Sequence, residues 1–270
     1  MPAETKTVNV MRWIPDRWDQ FVGNRRMRAE FRRIVQMLRK YYNDTGRIPA
    51  EILLSLLLTG PSRSGKTAMT KFAVRCLVCQ ELDDDLNPCK HTCPACRQRP
   101  EFEGQEGMFS VCAVAPNSPL VNFIIADCTK LQTARELQEV LDKAQGGSRV
   151  LDCVYLDEVH RLVPKHLDEI LLKEVEDKDC LWILSTAKPN DLDTMLRNRL
   201  ITLETELPDE EELAEWIADR CDDWGIPWDT DSVINGARKV NRVPGLALRG
   251  LAMAATNPEG LTPDIIDRYW

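Results

Sequence analysis

The sequence predicts an α/β fold, a five-stranded parallel sheet flanked by helices, with a small cysteine-rich insertion and a helical domain at the C-terminal end. Three observations carry this reading. Short apolar runs recur five times, helical patterns separate most of them, and the first run leads into "GPSRSGKT". That stretch, Gly60 to Thr67, is a complete G-x-x-x-x-G-K-[ST] phosphate loop set between a strand and a helix. Buried strands alternating with helices imply a parallel sheet covered on both faces.

In chain order, Asn24 to Tyr42 places Met27, Phe31, Ile34, Val35 and Leu38 at helical spacing, which predicts an amphipathic helix. "LLSLLLTG" (Leu53 to Gly60) reads as a buried strand, and Lys66 to Cys79 as the helix behind it. "LVNFIIADC" (Leu120 to Cys128), "VLDCVYLDE" (Val150 to Glu158), "CLWILST" (Cys180 to Thr186) and "RLITLET" (Arg199 to Thr205) supply the other four strands. "TARELQEVLDKA" and "PKHLDEILLKEVED" are helices between them. After Pro208 only helical patterns follow, beginning with carboxylates at Asp209 to Glu212, which favour a first turn. The expected domains are therefore 1–206, containing an insertion and loop at 79–119, and 207–270.

With 270 residues, 43% of them hydrophobic and 29% charged, the composition is that of an ordinary globular chain. The beginning, "MPAETKTVNVMRWIPDRW", has no basic stretch leading into an apolar one, and no apolar run approaches the ~18 residues of a membrane span. A soluble cytoplasmic protein with no membrane partner is expected. The net charge of −8 argues against a protein that coats nucleic acid as a whole. Between Arg25 and Lys40, however, seven basic residues face one acidic residue, whereas Glu204 to Asp231 is acidic. Such patches could meet between subunits, the basic one could face phosphates, or both could be solvated helix faces.

In a phosphate loop the backbone N–H groups turn toward the phosphates, which glycine permits most cheaply. The nucleotide-binding candidates are Gly60, Pro61, Ser62, Arg63, Ser64, Gly65, Lys66 and Thr67. Lys66 would reach the β- and γ-phosphates and Thr67 would hold Mg²⁺. The companion acid at a strand end is supplied by "DCVYLDEVH": Asp157 for the Mg²⁺ shell and Glu158 to polarise the attacking water. Ser185 and Thr186 form a polar pair at another strand end. Arg197 and Arg199 follow, and an arginine there could reach a neighbour's γ-phosphate.

Half of the ten cysteines lie between Cys76 and Cys96. Crowding of this kind points to a metal. The spacing favours Cys79, Cys89, Cys93 and Cys96 as a closed four-thiolate zinc site of structural role. Cys76 and His91 are rival ligands. Cys112, Cys128, Cys153, Cys180 and Cys221 are scattered, as small buried hydrophobes are. The stretch "EFEGQEGMFSVCAVAPNSP" is expected to be a surface loop or short hairpin.

Together, "RWIPDRWDQFVGNRRM", the phosphate loop, "FIIADCTKLQTARELQEVLDKA", "VYLDEVHRL", "ILLKEVED" and "ILSTAKPNDLDTMLRNRL" resemble the AAA+ ATPases in order and spacing. The likeness is nearest to the bacterial clamp-loader family, the DNA polymerase III gamma/tau subunits, which carry a similar four-cysteine module. The resemblance implies the AAA+ fold with a helical lid, ATP, Mg²⁺ and Zn²⁺ as cofactors, and ATP hydrolysis in DNA replication. It makes Asp157 and Glu158 the Walker B pair, Thr186 the first sensor and Arg199 the finger inserted into an adjacent subunit's site. The flanks differ here, reading Asn198-Arg199-Leu200. Val22 and Gly23 match the segment near the adenine, and the second sensor falls on Gly245 or, with a small shift, Arg249. Implied partners are other subunits, homo- or hetero-oligomeric, and DNA or a DNA-bound protein such as a sliding clamp. The family continues into a collar domain where this sequence ends at Trp270, so the expectation is either assembly by other contacts or a chain that holds only the motor portion. The alternative is an ATP-dependent, DNA-bound assembly switch with slow hydrolysis.

Overall fold

The computed structural model describes residues 13–97, 109–111, 121–144, 150–177 and 180–270. The chain divides into two compact units. One consists of Arg26–Ser62 and Lys66–Thr205; the other gathers the residues up to Arg25, Arg63–Gly65 and Glu206–Trp270.

The first unit is built on a sheet. Helix α1 (Arg25–Thr45) precedes β1 (Ser55–Thr59), which runs through the phosphate loop into α2 (Lys66–Val78). A short α3 (Pro94–Arg97) and a three-residue β2 (Phe109–Val111) lead to β3 (Val121–Asp127) and α4 (Ala134–Ala144). Then come β4 (Leu151–Asp157), α5 (Asp168–Asp177), β5 (Leu181–Thr186), α6 (Thr194–Asn198) and β6 (Ile201–Glu204). The sheet order is β2-β3-β4-β5-β1-β6. The five expected strands are parallel, while β2 adds an antiparallel edge against β3. That short edge strand lies within the stretch expected to be a loop or hairpin.

Alternation along the strands divides the core. Leu57, Val154, Leu156, Trp182 and Leu184 pack with Leu137 and Leu141 of α4 and with Leu171 and Val175 of α5. The intervening Leu56, Leu58, Phe123, Cys153, Tyr155 and Ile183 are buried as well, as a sheet covered on both faces requires. Cys128, Cys153, Cys180 and Cys221 are buried free thiols; Cys112 lies outside the described residues.

Three of the seven basic residues of this stretch of α1 are tied to acids of the same chain. Arg33 pairs with Glu30, Arg32 with Asp85 at 3.6 Å and Arg25 with Glu212 at 3.4 Å. Arg39, on the same helix, donates from Nη1 to the carbonyls of Cys76, Leu77 and Cys79 at 3.2, 2.9 and 2.7 Å. A cation at a helix C-terminus satisfies carbonyls that the helix cannot.

The second unit contains α7 (Glu210–Trp224), α8 (Thr230–Lys239), α9 (Pro244–Ala254) and α10 (Pro263–Tyr269). Asp209 caps α7 by accepting from the Glu212 N–H at 2.7 Å, and Gly225 ends it in the left-handed region. Leu213, Ile217, Val233, Ala237, Ala247 and Leu251 form its core. Helix α10 is not among the elements expected from the sequence; its Ile266 completes that core. Among the described residues no helix is long and apolar enough to cross a membrane.

Candidate active site and cysteine cluster

Because β1 lies between β5 and β6, with β4 beyond β5, the carboxyl ends of β1, β5 and β4 are neighbours. In open α/β sheets these ends form the ligand crevice. The phosphate loop leaves β1 there, and the Gly60 N–H donates to the Thr186 carbonyl at 3.3 Å. Lys66 is 6% exposed and folds back, its Nζ donating to the carbonyls of Gly60 at 2.9 Å and Pro61 at 2.7 Å. Burial lowers the Lys66 ammonium pKa, against the opposing pull of Glu158 and Asp157. Thr67 Oγ1 lies 3.3 Å from Asp157 Oδ2, so the two groups expected to hold Mg²⁺ already meet. An oxygen donor pair of this kind suits a hard cation.

Glu158 has a left-handed backbone, φ 54° and ψ 46°. A non-glycine residue there stores strain on the order of 1 kcal/mol. Its carboxylate lies 3.3 Å from His160 Nδ1, which also sits 3.0 Å from Thr186 Oγ1. Burial holds the His160 imidazole below its ordinary range, with Glu158 opposing, and its Nδ1 faces both Glu158 and Thr186. The Thr186 hydroxyl also accepts from the Lys188 N–H at 2.9 Å. His160 closes the Asp157-Glu158-Val159-His160 run, and the sequence alone assigns it no role.

Arg199 caps the end of α6 and donates to the Glu176 carboxylate and, at 2.8 Å, to the Met195 carbonyl. It is thus bound within its own chain. Arg197 lies two residues earlier on α6, its Nη2 3.4 Å from Thr194 Oγ1.

In the second unit, Val22 packs into the helical core. Gly23 has φ +63°, and a Cβ on it would lie 2.4 Å from the Glu206 carbonyl. The adjoining Asn24 donates from Nδ2 to the Ser64 carbonyl at 2.8 Å. Gly245 donates its N–H to the Arg63 carbonyl at 3.1 Å, and a Cβ there would lie 2.6 Å from the same oxygen. No side chain fits at Gly245, and Arg249 lies on the exposed side of α9.

The cysteine cluster lies at the end of α2. The sulfurs of Cys79, Cys89, Cys93 and Cys96 all lie within 4.8 Å of one another. Tetrahedral thiolates about 2.3 Å from one Zn²⁺ would be roughly 3.8 Å apart, so the set fits with a small contraction. The Cys89, Cys93 and Cys96 N–H groups donate to the sulfurs of Cys79, Cys89 and Cys93 at 3.3, 3.4 and 3.4 Å, as backbone donors do toward negative thiolates. Hydrogen bonding from the Cys96 thiol lowers the Cys79 pKa, while Cys96 is pushed up by the same contact. Neither rival joins the set. Cys76 is fully buried, burial raising its thiol pKa, and the His91 ring faces the Cys96 carbonyl at 3.3 Å.

No curated protein matches the chain. Solved structures of the Thermotoga maritima RuvB Holliday junction branch migration motor match with a TM-score of 0.58 at 18% identity, covering 96% of this chain and 72% of that one. A point mutant of the same RuvB gives 0.60 at 17%, covering 95% and 72%. At such identities the likeness is one of fold. Residues 56–207, more than half of the chain and all of the strand-end residues described above, match the model of the ATPase family associated with various cellular activities. The chain belongs to this AAA family.

Proposed function

We propose that this protein is an ATP-hydrolysing AAA motor that works as an oligomer in DNA replication, in the manner of a clamp-loader subunit. The observation that carries the ATPase part of the reading is the convergence of Lys66 and Thr67, Thr186, and Asp157 and Glu158 at the ends of three adjacent strands, and the clamp-loader part rests on the sequence resemblance together with the four-cysteine cluster. Lys66 exchanges the carbonyls of its own loop for phosphate oxygens. Thr67 and Asp157 are the residues that would hold Mg²⁺, which when bound neutralises phosphate charge. Glu158 takes a proton from the water that attacks the γ-phosphorus while the bond to the ADP oxygen breaks. Thr186 reports the γ-phosphate to Glu158 through His160. Arg199 leaves Glu176 to stabilise transferred charge in an adjacent subunit's site. Cys79, Cys89, Cys93 and Cys96 would hold a structural Zn²⁺ with no position open to substrate.

The test is ATP turnover against protein concentration, with and without primed DNA. Expected are turnover that rises with both, and a loss of ~10²-fold or more in Glu158→Gln. Turnover indifferent to concentration, to DNA and to Arg199→Ala would sink the proposal. Stimulation by four-way junction DNA in place of primed DNA would move the substrate toward that of the RuvB motor. A second reading, an ATP-held assembly switch, is favoured by the engagement of Glu158 with His160 and of Arg199 with Glu176. It requires nearly equal turnover in wild type and Glu158→Gln, and a filament rather than an open ring of about five subunits on DNA.

A further inference from the structure

Tyr155 precedes Asp157 by two residues on β4, so both side chains leave the same face of the strand. The phenol is fully buried, and a buried hydroxyl needs partners. It has three: Thr67 Oγ1 at 2.9 Å, Ser185 Oγ at 3.0 Å and Asp157 Oδ1 at 3.2 Å. Ser185 in turn donates to Asp157 Oδ1. Each hydroxyl owns a single proton. One arrangement uses all of them in sequence: Thr67 donates to Tyr155, Tyr155 to Ser185, and Ser185 to the Asp157 carboxylate, which needs no proton of its own. Burial raises the phenol pKa, so Tyr155 remains a neutral donor.

A threonine hydroxyl that offers a lone pair to a cation must point its proton elsewhere. Thr67 has two acceptors, and the phenol at 2.9 Å is nearer than Asp157 Oδ2 at 3.3 Å. We propose that Tyr155 is a positioning residue for the magnesium-bound nucleotide. Its hydroxyl accepts the Thr67 proton, turns the Thr67 lone pairs toward the cation and, through Ser185, fixes the Asp157 carboxylate. No proton changes owner. The proposal rests on the ATPase reading above and adds to it a hydroxyl chain running from the phosphate loop to the acid of β4.

Tyr155→Phe keeps the ring and removes only the oxygen. Affinity for a fluorescent ATP analogue is measured with Mg²⁺ and in EDTA, together with the melting temperature. The variant should bind in EDTA as wild type does and lose roughly 3- to 10-fold of the gain that Mg²⁺ confers, the effect of one hydrogen bond. Half-saturating Mg²⁺ should rise by a similar factor. Ser185→Ala should shift the same quantity, and the double variant should lose less than the product of the two, because both belong to one chain of bonds. A wild-type Mg²⁺ gain in Tyr155→Phe, or equal losses with and without Mg²⁺, overturns the proposal. Wild-type protein whose nucleotide affinity ignores Mg²⁺ overturns the ATPase reading itself and this chain with it.

Discussion

A Cβ built on Gly60 would lie 1.8 Å from Thr205 Oγ1, and its φ of +129° is one that side chains rarely adopt. Two separate penalties therefore bear on one residue. The backbone term costs about 1–3 kcal/mol, and the collision adds to it because Thr205, 8% exposed, has little room to retreat. Gly60→Ala should lower the melting temperature by about 10 °C and abolish nucleotide binding. Thr205→Ala removes the colliding oxygen and methyl, leaving its Cβ 3.0 Å from the new one. The double variant should regain part of the lost melting temperature, while the φ penalty persists. A double variant as unstable as Gly60→Ala alone would show that backbone strain is the whole effect. Lys66, in the same loop, poses a different demand, since its buried ammonium donates to the loop's own carbonyls. Lys66→Met removes the charge without an orphaned donor, so it should keep the fold and lose ATP affinity in an equilibrium binding assay.

Between Cys79 and Cys96 the chain gathers four thiols with little regular structure to hold them apart from a one-turn α3. Arg39 and Arg75 fasten this module from the neighbouring helices, Arg75 donating to the Cys89 carbonyl at 2.6 Å. Metal analysis should find one Zn²⁺ per chain, lost in Cys93→Ser with a fall in melting temperature. Cys76→Ala should keep the metal, because Cys76 lies in the core outside the set. Zinc loss in Cys76→Ala would reassign the ligands. The ligand spacing was legible because chelation needs residues close in sequence. The five parallel strands were equally so, since a strand buried on both faces must be a continuous apolar run. Strand β2 is foreshadowed only as part of a loop or short hairpin, because three residues among glycines and prolines leave no period to read, and α10 is not foreshadowed because a seven-residue helix presents little more than one apolar turn. The hydroxyl partners of Tyr155 were hidden for another reason. In the sequence it is one more apolar-run aromatic; Thr67 and Ser185 reach it only through the parallel register that sets Tyr155 opposite Ile183.

At the scale of the whole molecule, the residue on which the proposed assembly turns is Arg199, because the role proposed for it needs a second chain. It stands at the end of α6, whose N-terminus Asp193 fixes by accepting from the Met195 N–H at 2.6 Å. Here its guanidinium rests on Glu176, at the far end of α5. An ion pair this exposed is worth little, so exchanging Glu176 for the phosphates of an adjoining subunit costs little. Desolvated phosphate contacts are worth considerably more. If that exchange completes the active site, two different defects should complement each other. Glu158→Gln destroys the site a subunit carries but leaves its Arg199 for the neighbour; Arg199→Ala does the reverse. Each variant alone should be nearly inactive, while an equal mixture with free subunit exchange pairs an intact Glu158 with an intact Arg199 at roughly a quarter of interfaces. Turnover of the mixture should therefore approach about a quarter of wild type. If Arg199 acts only on its own chain, no mixed interface contains both residues in working order, and the mixture stays as inactive as its components.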